Sequence, residues 1–157
     1  MPFVTVHGKR LHYADTKADA GADAHTMVFV HGLGSTQNYF FPMLPALARY
    51  RCITLDTYGA GRSRFDGQEH SIESIGGDVL AVLDGLKVGR AVVVGYSMGS
   101  MLPTHLASTV PHRVVAGVCI GPVHPTDAVA HVFAKRVAAV RNGESGPPFF
   151  FHFPFRG

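Results

Sequence analysis

With 157 residues, 46% of them hydrophobic and 16% charged, the chain is long enough for one globular domain with a real core and too apolar for disorder. Its 14 Lys and Arg against 11 Asp and Glu leave a formal charge of +3 with no block of like charge, which argues against a nucleic-acid or membrane-surface binder. Ten histidines fall in no Cys/His metal spacing, so neither a metal nor a cofactor is expected.

The N-terminus, Met1 to His7, has no charged region followed by a long apolar stretch, and no run reaches the length of a membrane span. Cys52 and Cys119 sit inside apolar, strand-like runs and read as two buried thiols rather than a disulfide. A cytoplasmic setting is the expectation.

In chain order, Phe3–His7 and Arg10–Tyr13 alternate about Gly8-Lys9 and predict a β-hairpin. Asp15 to His25 is small and polar and reads as a surface loop. Met27-Val28-Phe29-Val30 is a short apolar run of the kind buried on both faces of a sheet. A helix is expected over Asn38–Arg49, its regular part confined by Pro42 and Pro45, and a strand over Arg51–Leu55. Ser71 caps a helix in which Ile72, Ile75, Val79, Val82, Leu83 and Leu86 recur at helical spacing. A strand over Ala91–Gly95, a helix over Met98–Val110 and a strand over Val114–Ile120 follow. Pro125-Thr126-Asp127 opens a last helix, with Val129, Val132, Phe133, Val137 and Val140 on one side and Gly143 as its stop. Strand–helix alternation from residue 27 onward predicts a mostly parallel sheet covered by helices on both faces.

Ligands gather at the carboxyl ends of such strands, and three glycine-rich junctions fall there. The first in importance is Gly95-Tyr96-Ser97-Met98-Gly99, between a β-branched strand and a helix. A serine on that sharp turn is held exposed, where its hydroxyl can attack a carbonyl; side chains at 95 and 99 would collide with the neighbouring strand and helix. As an ordinary helix N-cap, Ser97 would not need glycine on both sides. The second junction, His31-Gly32-Leu33-Gly34, brings backbone close to a substrate. The amides of Leu33 and Met98 are the expected pair that stabilises the oxyanion, with His31, Gly32 and Gly34 shaping the turn. The third, Asp56 to Ser63, contains Gly59-Ala60-Gly61 but lacks the third glycine of a dinucleotide fingerprint, since Arg64 stands there. Asp56 is read as tying this loop to its neighbours, not as catalytic.

Together these motifs, in this order and spacing, resemble the N-terminal half of an α/β-hydrolase, close to the group of 3-oxoadipate enol-lactonase-like proteins and cofactor-free haloperoxidases. The resemblance runs from about Phe3 to about Gly143. It implies an α/β fold of the α/β-hydrolase type, truncated after about the sixth strand, with residues 1–143 forming the core and the start of a cap helix. A serine at 97, where dehalogenases of this fold carry aspartate, implies cleavage of a carboxylic ester, thioester or lactone through a Ser97 acyl-enzyme. A small-molecule ester or lactone is thus the expected partner, alongside self-association through an exposed sheet edge at Val114–Ile120.

The family's triad runs nucleophile, acid, histidine, and the acid and base are expected beyond Gly157. Asp127 reads as a helix N-terminal residue stabilised by the dipole, His105 as a packed helix residue, and His124 as lining the substrate cleft. Residues 144–157, rich in Pro and Phe, have no helical or strand period and are expected to lie outside native family sequence, leaving a fragment of weak or no activity. Two other classes compete: a non-catalytic binding module that keeps the hydrolase pocket, and a nucleotide-binding domain, which the incomplete glycine pattern disfavours.

Overall fold

The hairpin at the N-terminus turns at His7-Gly8, one residue earlier than its sequence suggests. Both residues have positive φ, 48° and 76°, the backbone of a type I′ turn, which matches the twist of the flanking strands. β1 (Phe3–Val6) and β2 (Lys9–Asp15) pair antiparallel across it. The early turn makes Lys9 the first residue of β2 and buries it. Its ammonium lies 2.9 Å from Asp78, and the two side chains are only 6% and 4% exposed. His7 Nδ1 reaches the other Asp78 oxygen at 3.2 Å. This is a computed structural model; it describes residues 2–16, 25–64, 66–67, 70–123 and 126–142. The expected loop stretch 17–24, Gly143 and the Pro/Phe-rich residues 144–157 lie outside the described residues.

Residues 1–123 form one unit built on a six-stranded sheet in the order β1-β2-β4-β3-β5-β6. Here β3 is Thr26–Val30, β4 Arg51–Leu55, β5 Ala91–Tyr96 and β6 Val114–Ile120. β2 joins β4 antiparallel, and β4, β3, β5 and β6 run parallel. Side chains alternate between the two faces, as strand geometry requires. Val28, Val30, Ile53, Leu55 and Val93 pack on one side with α1 (Ile72–Gly85) and α2 (Met101–Thr109), through Ile75, Val79, Val82, Leu83, Leu102 and Leu106. Phe29, Cys52 and Val94 pack on the other, around Phe40. A central strand buried on both faces is what the unbroken run Met27–Val30 demands.

Phe40 belongs to a segment expected to be α-helical but found as a 3₁₀ helix over Gln37–Leu47. Pro42 and Pro45 are the reason, since each removes an N–H and crowds the carbonyl four residues back. The element after the elbow also differs: a 3₁₀ turn over Ser97–Ser100 precedes α2, which ends at Thr109. Cys119, expected to be buried, is exposed. It lies on β6, whose one strand neighbour among the described residues is β5 and whose Val115 and Val118 are 44% and 41% exposed. α3 (Asp127–Arg141) belongs to a second unit, residues 124–157, with Asp127 in its first turn. Among the described residues no helix is long and apolar enough to cross a membrane.

α1 begins with a reciprocal capping box. Ser71 Oγ accepts the Ser74 amide at 3.1 Å, and Ser74 Oγ accepts the Ser71 amide at 3.0 Å. Ser71→Ala is expected to lower stability by about 1 kcal/mol. Urea unfolding would show it as a lower midpoint at unchanged slope; an unmoved midpoint would mean that the box adds nothing.

Candidate active site

β3, β4 and β5 all end at one edge of the sheet, and the three glycine-rich junctions emerge there side by side. At the first, Ser97 has φ +52°, the left-handed region that a side chain enters only under strain. Tight packing on both sides holds it there. A Cβ on Gly95 would sit 2.0 Å from the Gly99 carbonyl oxygen, and one on Gly99 would sit 2.2 Å from the Val30 carbonyl oxygen at the end of β3. The turn is wedged between the helix start and the neighbouring strand, so neither position tolerates a side chain. Tyr96, the residue before Ser97, stacks on Tyr39 with ring centroids 4.1 Å apart and planes 14° from parallel.

The second junction comes within contact of the first: a Cβ on Gly32 would lie 2.9 Å from Ser97 Cβ. Residues 32–35 form a tight turn, with the Ser35 amide donating to the Gly32 carbonyl at 3.2 Å and Gly34 at φ +72°. His31 braces it from within the core, 1% exposed. Its Nδ1–H donates to the Gly32 carbonyl at 2.8 Å, which leaves Nε2 to accept the Thr57 amide at 3.1 Å. Both bonds suit the neutral ring, and burial pushes its pKa below the ordinary 6.5. His31 thus clamps the first residues after β3 to the first residues after β4.

Asp56 organises the third junction. It is 2% exposed, and its Oδ1 accepts the Gln37 amide at 2.9 Å while Oδ2 accepts the Arg62 amide at 3.0 Å. His12 Nδ1 lies 3.0 Å from Oδ2 and 2.5 Å from the Gln37 side-chain amide. Gly61, at φ +53°, wraps so closely that a Cβ there would lie 2.5 Å from the carboxylate. Gly61 of the Gly59-Ala60-Gly61 stretch therefore closes over a carboxylate of the protein itself. Burial pushes the Asp56 carboxyl up, but the amides of Arg62 and Gln37 and the side chains of His12 and Gln37 outweigh it and hold it below the ordinary 3.8.

A carboxylate whose pKa is depressed on folding contributes stability that is complete above the unfolded value and lost as pH falls through the folded one. Stability is therefore expected to decline as pH drops below 3.8, through the lower folded value. Asp56→Asn, less stable at neutral pH by about 1–3 kcal/mol, should lose that part of the acid dependence. Urea titrations across the acid range would detect it; an unaltered slope against pH in the Asn variant would remove Asp56 from the acid response.

A cavity of about 430 Å³ opens beside these junctions, lined by Leu33, Gly34, Thr36, Tyr58, His70 and Met98, among others. Leu33 and Met98, the expected oxyanion pair, thus face the same space, and the Leu33 amide donates to none of the described residues. The 3₁₀ turn at Ser97–Ser100 and α2 behind it bring the positive end of a helical segment to the same place. The structure brings Ser97, Gly32, Leu33 and Met98 together. It sends other residues elsewhere: His105 packs on α1, where a Cβ on Gly76 would lie 3.1 Å from its ring. Asp127 is in the second unit, and His124 lies outside the described residues. Sequence reasoning missed His70, Tyr58 and Thr36 in the cavity wall, since irregular loops carry no period that would single them out.

A serine in a left-handed turn between two packed glycines, at the strand ends of a mostly parallel sheet, defines the nucleophile-elbow class of architecture. Residues 25–153 match the family model of the alpha/beta hydrolase fold, and the chain belongs to that family. Over 128 residues it is 33% identical to the dihydrolipoyllysine-residue acetyltransferase component of the acetoin cleaving system of Cupriavidus necator, covering 81% of this chain and 33% of that one. Among solved structures, an enol-lactonase from Burkholderia xenovorans superposes with a TM-score of 0.80 at 27% identity, covering 91% of this chain and 55% of its own. A hydrolase from Pseudomonas aeruginosa superposes at 0.79 with 29% identity, covering 89% and 52%. The chain thus spans a third of the first relative and about half of the two solved structures.

Proposed function

We propose that this chain carries the nucleophile and oxyanion-binding part of a serine hydrolase acting on a carboxylic ester, thioester or lactone. Its feature of greatest weight is Ser97, strained at φ +52° beside a cavity that Leu33 and Met98 line. In this reading Ser97 Oγ attacks the substrate carbonyl, and its proton passes to a general base that the described residues do not supply and that returns it to the leaving group. The Leu33 and Met98 amides hold the oxyanion, and the alcohol or thiol leaves as the acyl-enzyme forms. Water then releases the acid. The enol-lactonase among the structural relatives supports lactone cleavage as one variant of this chemistry. A cytoplasmic setting is part of the same proposal, supported by the free thiols of Cys52 and Cys119.

A second reading has its own observation. Among the described residues no side chain hydrogen-bonds the Ser97 hydroxyl, so the pocket would also suit a binding module that does no chemistry. Fluorophosphonate labelling separates the two. Covalent modification that depends on Ser97 supports the hydrolase; a folded, unlabelled chain supports the binding module.

A further inference from the structure

A serine held at φ +52° relaxes unless its surroundings forbid it. Gly95 and Gly99 account for the tight backbone on either side of the turn. Tyr96, the residue before Ser97, carries a further restraint that comes from a different element. It ends β5 on the sheet face that Phe29, Phe40 and Val94 occupy. Gly32 borders its ring, since a Cβ there would lie 3.3 Å from Tyr96 Cδ1 and 2.9 Å from Ser97 Cβ. Gly121, just past β6, borders the ring at another edge, where a Cβ would lie 3.8 Å from Cε2. Tyr39, from the 3₁₀ helix, covers a face, with centroids 4.1 Å apart and planes 14° from parallel. We propose that Tyr39 is a positioning residue for Ser97: through this stack it fixes Tyr96 and keeps the serine in its left-handed turn. The inference rests on reading Ser97 as the nucleophile.

Tyr39 is itself anchored. Its amide donates to the Thr36 carbonyl at 3.2 Å, and its ring meets Phe40 edge-on, at 5.3 Å and 90°. Phe40 is fully buried and packs on Phe29 of β3 at 5.1 Å. A continuous row of rings, Phe29, Phe40, Tyr39 and Tyr96, thus runs from the central strand to the residue before the nucleophile. Such contacts add to stability beyond the area they bury. Burial, then the Tyr96 hydroxyl beside it, push the Tyr39 phenol above its ordinary 10.0, which places both hydroxyls at one end of the stack. Tyr39 is 44% exposed, so replacing it removes the stack without opening the core.

The stack and the strain are coupled through Tyr96. With Tyr39 gone, the Tyr96 ring can swing and the turn can relax part of its strain. Ser97→Gly, which removes that strain in the parent, then has less to remove. A neighbour that only adds packing would leave the two effects independent.

The test is a double-mutant cycle read by thermal unfolding, which needs no catalysis. Ser97→Gly is expected to raise the midpoint in the parent and equally in Tyr39→Phe, whose ring keeps the stack. In Tyr39→Ala, and in Tyr39→Leu, which keeps bulk without an aromatic face, the rise should fall to about half or less. Three outcomes overturn the proposal: an equal rise in the Ala and Leu variants, a rise that shrinks in Tyr39→Phe, or no rise in the parent. The rate of fluorophosphonate labelling at Ser97 adds a second readout. It should drop about tenfold or more in Tyr39→Ala, the cost of a misplaced reacting atom, and stay near the parent value in Tyr39→Phe. An unchanged rate in Tyr39→Ala overturns the proposal as well. Loss of the serine reading shows separately, as absence of labelling in the unsubstituted chain, and the cycle then decides alone whether Tyr39 holds the turn.

Discussion

Ser97→Ala is expected to reduce fluorophosphonate labelling at least about 10³-fold, because removal of a catalytic nucleophile removes the bond-forming atom itself. The unsubstituted chain should give a single adduct, and peptide mass spectrometry should place it on Ser97. Circular dichroism and thermal unfolding would show that the Ala variant is folded. Ser97→Gly sharpens the test. Its backbone accepts φ +52° without a Cβ penalty, so it should lose labelling while gaining about 1 kcal/mol of stability. A position that gains stability on losing its reactive group is the signature of strain maintained for chemistry. Labelling that persists in both variants would transfer reactivity to another residue and end the Ser97 reading. Ser97→Gly without any gain in stability would leave the serine but remove the strain argument.

Gly95→Ala should be strongly destabilising, with the closest clash that a Cβ would meet at the glycines compared among the described residues. The added Cβ would meet the Gly99 carbonyl oxygen at 2.0 Å and the Ser100 Cα at 2.7 Å, both backbone atoms with no freedom to rotate away. Gly99→Ala is nearly as severe, with the Val30 and His31 carbonyl oxygens at 2.2 and 2.7 Å. Relief requires pulling the helix start off the sheet, which disturbs contacts from Leu102 and Leu106 to the core. A loss of about 4 kcal/mol or more is expected, against a total of roughly 5–15 kcal/mol for an ordinary domain. Gly89→Ala is the matched control, since a Cβ there meets nothing within 4 Å, and its effect should stay within about 0.5 kcal/mol. Thermal unfolding of the three variants beside the parent would decide. Equal midpoints for Gly95→Ala and Gly89→Ala would mean that the elbow is far less tightly wedged than its geometry requires.

Much of the sheet could be read from the chain because its strands are short, β-branched and bounded by glycine. Met27–Val30, Arg51–Leu55 and Ala91–Gly95 are all strands in the structure. Helix α1 was equally legible, through the spacing of Ile75, Val79, Val82 and Leu83 and the cap at Ser71. What failed was local in one case and global in others. Pro42 and Pro45 were visible, but their effect is to convert the whole segment Gln37–Leu47 to a 3₁₀ helix rather than shorten an α-helix. The exposure of Cys119 depends on what covers β6, which no residue near position 119 encodes.

The site shows the same division. The glycine motifs revealed the turn chemistry, since their spacing follows from backbone geometry. The partner that braces the third turn was hidden, His12 lying 44 residues from Asp56, and so was the 69-residue link of Lys9 to Asp78, from the start of β2 to α1. Nothing in a linear pattern announces such pairs. His70 reached the cavity wall through an irregular loop, where neither helical nor strand period applies.

The left-handed backbone at position 97 also acts as a filter on which nucleophiles this scaffold could ever carry. Serine, cysteine and aspartate each place one branch-free Cβ in the turn. Threonine adds a second heavy atom at Cβ, which is poorly tolerated where φ is positive. A lineage built on this elbow can therefore exchange oxygen for sulfur or a hydroxyl for a carboxylate by single substitutions, and so change the bond it attacks without rebuilding the sheet. The route to a threonine nucleophile is closed by the same 52° angle. A bend of the chain, set by the carbonyl oxygens of Gly99 in the turn and of Val30 on the adjoining strand, thus limits the evolutionary repertoire of the site.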